Sequence, residues 1–221
     1  MPKGQQSQRD KGAEPVRKRL SPAARRSEIV QAAVDLFAET GFDGSTREVA
    51  RRAGITQPLL YRYFPDKQSL IEAAYSRVFL ETWDPAWDAL LQDRSRPVAE
   101  RFQTFYEAYT EIVFQPVWLR LWYYALLRDA QVHAWYREVV QEQILKPLVR
   151  ERRAELGQGD AFAVTVEGLD VPWLLHGGLL NHGLRQSAGQ RDGRDRPAMI
   201  RKALDLFIQH SAAGAPARET G

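Results

Sequence analysis

The 221-residue chain has no cysteine. Disulfides, thiolate metal sites and cysteine nucleophiles are therefore excluded, and the composition suits a reducing compartment. Long apolar runs are absent too. The richest stretches, near Trp118–Leu127 and Val171–Leu180, are too short to span a bilayer and contain Arg120 and His176. The first ten residues are polar and carry no apolar stretch of the kind that directs secretion. These absences predict a cytoplasmic protein with no membrane partner. Catalytic signatures are also missing: there is no phosphate loop, dinucleotide fingerprint, His-Glu-x-x-His or nucleophile elbow. His133, His176 and His182 are not spaced as a metal-binding pair, and no cysteine supports them, so no metal or other cofactor is expected. There is no strand signal beyond the first third and no internal repeat.

What remains is a helix-forming composition. Apolar residues make up 44% of the chain and charged residues 27%, enough to bury an ordinary core. The charge is unevenly placed. Residues 1–67 hold 13 Lys/Arg against 8 Asp/Glu, a net of +5, whereas residues 68–221 hold 18 against 20, a net of −2. A basic end on a slightly acidic body suits contact with phosphate, although a solvated basic tail has the same composition.

Residues 1–20 are polar and basic, with the cluster Arg17-Lys18-Arg19, and predict a disordered arm. Ser21-Pro22 reads as a helix cap followed by a first-turn proline. Ile29, Ala32, Ala33, Leu36 and Phe37 then form one helical stripe that Gly41 ends. Ser45-Thr46-Arg47-Glu48 reads as a capping box, opening a short helix that buries Val49, Ala50 and Ala53 and stops at Gly54. Thr56 caps the next helix, which turns Leu60 and Phe64 inward. A longer helix starts near Asp66. Helical patterns follow at 97–113, 116–128, 131–156, 160–186 and 196–212. The fold class is all-α: a helix-turn-helix head over residues 21–82 with its motif at about 45–64, a helical bundle over 83–213, and a disordered tail at 214–221.

Two short helices joined by a glycine-containing turn form the unit whose second helix enters the DNA major groove. The runs Ile29-x-x-Ala32-Ala33-x-x-Leu36-Phe37-x-Glu39-x-Gly41-Phe42, Thr46-x-x-Val49-Ala50-x-x-Ala53-Gly54-Ile55 and Leu60-Tyr61-x-Tyr63-Phe64-x-x-Lys67-x-x-Leu70 resemble the head of the tetracycline-repressor (TetR) family of bacterial regulators. The resemblance covers residues 22–82. It implies that Thr46 and Arg47 hold a phosphate and read a base, and that Gln57-Pro58 reads bases. It also implies that Tyr61, Tyr63 and Lys67 touch the backbone. Thr56, Leu59 and Arg62, on the same short helix or its cap, complete the candidate DNA contacts. Leu59 departs from the small or hydroxylated residue common there, and either meets a thymine methyl or packs. The chemistry agrees, since arginine pairs bidentately with guanine and glutamine with adenine, while hydroxyl and ammonium donors position the protein on phosphates.

All six tryptophans lie beyond residue 80. Trp118 to Leu127 is apolar on nearly every face and predicts a central, buried helix. The resemblance implies an effector pocket in this body, for which Phe105, Tyr109, Trp118, Arg120, Trp122, Tyr123, Trp173 and His176 are the candidate contacts; each aromatic is equally readable as plain core. Arg120 pairs with a carboxylate such as Glu111, Glu167 or Asp170, reaches the surface, or meets an anionic ligand. Phe162, Val166, Leu169 and Trp173 run along 160–186, with Pro172 as a kink and Gly177, Gly178 and Gly183 allowing close approach. Ile200, Ala203, Leu204, Phe207 and Ile208 form a second stripe. The resemblance implies that these two helices build a homodimer, and symmetry then predicts a palindromic double-stranded operator. A repressor released by a small hydrophobic or aromatic effector is the function this implies. An all-helical enzyme and an effector-free DNA-binding protein are the competing readings.

Overall fold

A computed structural model describes residues 20–128, 130–158, 164–189, 193 and 195–213, apart from the side chains of 128–133 and 212–213. The expectations of a disordered arm and tail, and those placed on Phe162 and the His133 side chain, lie outside the described residues. Among those described there are helices and no strands.

The head comprises α1 (Pro22–Thr40), α2 (Thr46–Arg52), α3 (Gln57–Tyr63) and α4 (Lys67–Phe79). Their ends follow local chemistry. The Ser21 hydroxyl accepts from the Ala24 N–H at 3.1 Å, and Gly41 ends α1 at φ 72°, a conformation that costs glycine little. Gly54 does the same in the α2–α3 turn at φ 63°, where the Ile55 N–H reaches back to the Ala50 carbonyl. Ser45 caps α2 by accepting from the Glu48 N–H at 3.2 Å, but the reciprocal half of the expected capping box does not form. Glu48 instead pairs with Arg51 and Arg52. The hydrogen bonds from these two guanidinium groups hold its carboxyl down at about 2. A complete reciprocal box occurs at Asp66 and Ser69, at the start of α4.

The bundle contains α5 (Ala86–Gln92), α6 (Val98–Val113), α7 (Pro116–Arg128), α8 (Ala130–Val140), α9 (Lys146–Glu155), α10 (Asp170–Ser187) and α11 (Arg196–Ala213). Three segments differ from expectation. The 131–156 helix is interrupted by a π turn, Gln141–Leu145, just ahead of Pro147. Proline has no N–H for the carbonyl four residues back, and the widened turn absorbs the misfit. The 160–186 helix begins only with a short 3₁₀ turn, Glu167–Leu169, so Pro172 sits in the first turn of α10, where no N–H is needed and no kink results. Finally, α7 is two-faced rather than central. Trp118, Leu119, Leu121 and Ala125 are buried, while Arg120, Tyr123, Leu126 and Leu127 are exposed.

Head and bundle share one core. Phe79 of α4 packs on Trp118 at 4.7 Å and Tyr136 at 5.7 Å, and Tyr75 meets Trp135 at 5.5 Å. On the far side, α9 is stapled to the α5–α6 region by charge. Glu151 accepts from Arg101 at 2.8 Å and from Arg94 at 3.0 and 3.1 Å, and Arg101, only 2% exposed, also donates to the Leu91 carbonyl. One turn on, Glu155 accepts from the Val98 N–H at 2.9 Å and so caps α6 from a different helix.

The apolar stripe of α11 is not free for a partner chain. Ile200, Leu204 and Phe207 are buried in their own bundle, chiefly against α6. Gly183 likewise serves an internal contact, since a Cβ there would come within 2.3 Å of the Phe114 ring. Both corrections leave an outward apolar set of Leu174, Leu206, Gly177 and Gly178; Leu174 is 74% exposed, and open space lies over both glycines.

Candidate nucleic-acid interface and ligand cleft

The seven residues of α3 are too few to stand alone as a helix. They are held from beneath by Leu60, which is fully buried, and by Phe64 at the C-cap, whose ring is covered by the Arg26 guanidinium at 4.9 Å. The inner side being fixed, the outer side is what solvent meets. Pro58, Tyr61 and Arg62 are exposed there, Gln57, Leu59, Tyr63 and Lys67 are half-buried, and the capping Thr56 is exposed. Arg47, at the start of α2, is also exposed.

Thr46 behaves differently. It is buried, and its hydroxyl lies 3.1 Å from the Tyr61 hydroxyl and accepts from the Gln57 amide at 3.2 Å. It therefore ties the start of α2 to the outer side of α3 and sets the positions of Tyr61 and Gln57.

Electrostatics separate the arginines further than sequence can. Arg51 and Arg52 are neutralised by Glu48 and Glu39. Arg47, Arg62 and Lys67 have no carboxylate partner among the described residues, so their charge is available to an anion. Three cations without a carboxylate partner, on the elements that also carry the half-buried Gln57 amide and the exposed Tyr61, are the equipment for phosphate positioning plus base-edge reading.

In the bundle, a cleft of about 420 Å³ opens between α7, α8 and α10, lined by Trp122, Tyr123, Leu126, Tyr136, Arg137, Trp173, His176, Gly177, Leu180, Asn181 and Leu184. That volume falls within the range of small-molecule sites. Of the candidate contacts, Trp122, Tyr123, Trp173 and His176 meet here. Phe105, Tyr109 and Trp118 do not; they are core, and Tyr109 and Trp118 border only an enclosed void of about 20 Å³, room for roughly one water. Arg120 is exposed on the outer side of α7, where its charge adds a little to the Arg52 hydrogen bond that holds the Glu39 carboxyl down, and it pairs with none of the three expected carboxylates. Glu111 pairs instead with Arg196. Sequence reading missed Tyr136, Arg137 and Asn181, for a single aromatic, arginine or asparagine in a helix signals nothing until its neighbours are known.

The cleft floor is a buried polar chain. The Tyr109 and Tyr136 hydroxyls lie 3.0 Å apart, and Tyr136 lies 3.5 Å from Nε2 of His176. Burial lowers the His176 imidazole to about 4, so it is neutral at neutral pH. His182 is buried beside Gln186 at 2.8 Å. Among the described residues no group of three His, Cys, Asp or Glu could hold a metal. Nor is any helix among them long and apolar enough to cross a membrane.

Cleft and DNA face are linked through one helix. Trp122 and Tyr123 of α7 line the cleft, and the next residue, Tyr124, lies against Gly41 and, at 6.5 Å ring separation, Phe42 in the head. A Cβ on Gly41 would stand 3.2 Å from the Tyr124 ring.

Comparison with known proteins agrees with this architecture. The model of the tetR family of bacterial regulatory proteins matches residues 29–74. The HTH-type transcriptional regulator BetI of Klebsiella pneumoniae (strain 342) is 26% identical over 175 residues, covering 74% of this chain and 89% of BetI. A TetR-like transcriptional regulator from Rhodococcus sp. RHA1 superposes with a TM-score of 0.65 at 20% identity, covering 89% of this chain and all of the other. A tetR-family transcriptional regulator from Streptomyces coelicolor gives 0.54 at 18% identity, covering 91% and 94%. The solved structures share the fold.

Proposed function

We propose that this chain, which belongs to the TetR family of DNA-binding transcriptional regulators and is not an enzyme, is a cytoplasmic homodimeric repressor that a small molecule in the α7–α8–α10 cleft releases from a palindromic operator. The observation that carries this reading is the pairing of a braced α3, with the uncompensated cations Arg47, Arg62 and Lys67 on it and on the helices either side, with a cleft whose wall helix touches the head. We assign residues 21–82 to DNA binding and 83–213 to effector binding and dimerisation. Arg47, Gln57 and Pro58 face base edges. Tyr61, Tyr63, Arg62 and Lys67 face the backbone, Thr46 positions Tyr61 and Gln57, and Thr56 caps the helix. Leu59, half-buried, packs. Pairing of α10 and α11 with their mates uses the outward set Leu174, Leu206, Gly177 and Gly178, where small residues allow helices to approach closely.

Release follows from packing. A ligand between Trp122 and Trp173 bears on α7, and α7 bears on the head through Tyr124 against Gly41 and through Trp118 against Phe79. Shifting the head pair relative to the groove spacing by even a small amount costs contacts on both half-sites. A coupling of about 1–3 kcal/mol changes operator affinity about 5- to 150-fold, provided the ligand binds the two arrangements unequally.

Selection of bound fragments from random-sequence DNA tests the proposal. It should return an inverted repeat whose half-site centres are about one helical turn apart or a multiple of it. Recovery of sequences with no shared motif would favour a DNA-binding protein without an operator.

A further inference from the structure

We propose that the α7–α8–α10 cleft selects a hydrophobic monoanion: a flat apolar body carrying one carboxylate-type head. This deepens the reading of the cleft as an effector site and rests on it.

The body of such a ligand is specified by the walls. Trp122 and Trp173 present indole surfaces, and Leu126, Leu180 and Leu184 supply aliphatic contact. Planar or otherwise apolar groups gain most from burial against them.

The head is specified by charge. Among the described residues that line the cleft, Arg137 carries the only formal charge and none is a carboxylate. Arg137 has no carboxylate partner among the described residues. The phenols beneath it supply no negative charge, because burial pushes the Tyr109 and Tyr136 hydroxyls far above their ordinary ionisation range. A cationic guest would thus meet the like charge of the exposed Arg137 with no carboxylate among the described lining residues to offset it. A carboxylate would gain a charge-assisted bond to the guanidinium, whose fork suits bidentate pairing.

His176 adds an independent indication of a polar guest. It is 1% exposed, lines the cleft, and its Nδ1 has no hydrogen-bond partner among the described residues. A buried ring nitrogen left unsatisfied is costly, and the polar end of a ligand at this floor relieves that cost.

The test uses three probes with one aromatic body: 2-naphthylacetate, its uncharged amide, and (2-naphthylmethyl)trimethylammonium. Binding to the full chain is measured by calorimetry, and DNA release by displacement from the selected operator. The acetate should bind at least about tenfold tighter than the amide, with the ammonium weakest. Arg137→Gln should erase the acetate's advantage, and Arg137→Glu should make the ammonium the tightest of the three. Trp173→Ala should weaken all three. Equal binding of the probes, or tightest binding of the ammonium to the parent chain, overturns the charge selection; if DNA is still released, the effector reading stands. Acetate preference without DNA release supports the charge selection and overturns the effector reading. No binding by any probe overturns both.

Discussion

Leu60→Ala is expected to lower operator affinity by about 30-fold or more, the equivalent of 2 kcal/mol, while leaving the bundle folded. Leu60 is fully buried beneath a helix of seven residues, and a Leu→Ala change at such a site costs about 2–5 kcal/mol in lost transfer energy and cavity. Besides Phe64, nothing on α3 is buried deeply enough to compensate, so the helix loses its seat and its outer face loses its orientation. The two halves of the prediction are separable by experiment. All six tryptophans lie beyond residue 80, and those that touch the head meet α4, so tryptophan emission reports the bundle and its seam with α4 rather than α3. Anisotropy of a labelled operator reports the head. An affinity within about threefold of the parent, a change below 1 kcal/mol, would mean that α3 does not depend on Leu60 for its placement.

The second large effect concerns stability. Glu151→Gln should cost about 3–5 kcal/mol, because it leaves Arg101 buried without its counter-ion and removes one of the two acceptor oxygens that Arg101 and Arg94 use. Glutamine keeps the shape, so the loss is one of charge rather than packing. Acid should imitate the substitution. Burial alone would raise the Glu151 carboxyl, but the hydrogen bonds from Arg94 and Arg101 prevail and its net shift is downward. A depressed carboxylate contributes stability above its unfolded value, near 4.5, and loses it as pH falls through the folded value. His176 acts in a higher window. Its folded value of about 4 against an ordinary 6.5 means that the unfolded chain takes up the proton first, so stability falls as pH drops from about 6.5 to 4. Melting temperatures of the parent should therefore decline in two stages below pH 6.5, and Glu151→Gln should flatten only the lower one. An unchanged lower stage would show that the Arg94–Glu151–Arg101 cluster is not what acid disrupts.

These sites also show where sequence is a sufficient guide and where it is not. Ser21, Thr56 and Gly41 end their helices as their side chains dictate, because a cap is a contact within four residues. Ser45-Thr46-Arg47-Glu48 satisfies the capping pattern equally well, yet only half forms, because Arg51 and Arg52 offer Glu48 a stronger partner. Helix α5 has only Trp87 and Leu91 as inward markers, too few for a period to emerge. The cluster of Arg94, Arg101 and Glu151 spans 50 residues and more of chain, and no local pattern encodes it.

The same holds for the body's aromatics. Trp118 and Trp122 are one turn apart and stack at 6.4 Å, yet the first is core and the second lines the cleft. Four residues advance a helix by slightly more than one turn, and that small rotation decides which ring meets a void. Ile200, Leu204 and Phe207 form a stripe that any partner helix would suit. Only the position of α6 shows that the partner is internal. The head was legible because each of its four helices opens on a side-chain cap. The cleft was not, since a void is a property of three helices at once.

The central claim is that the α2–α3 face reads DNA, and it is tested most directly by comparing Arg47→Ala with Lys67→Ala across salt on the operator and on random DNA. Arg47→Ala should lose affinity mainly for the operator, by about 1–3 kcal/mol, with random DNA little changed. Lys67→Ala should weaken both alike and reduce the salt slope by about one unit. Equal losses on operator and random DNA for Arg47→Ala, with no change in slope for Lys67→Ala, would contradict the account.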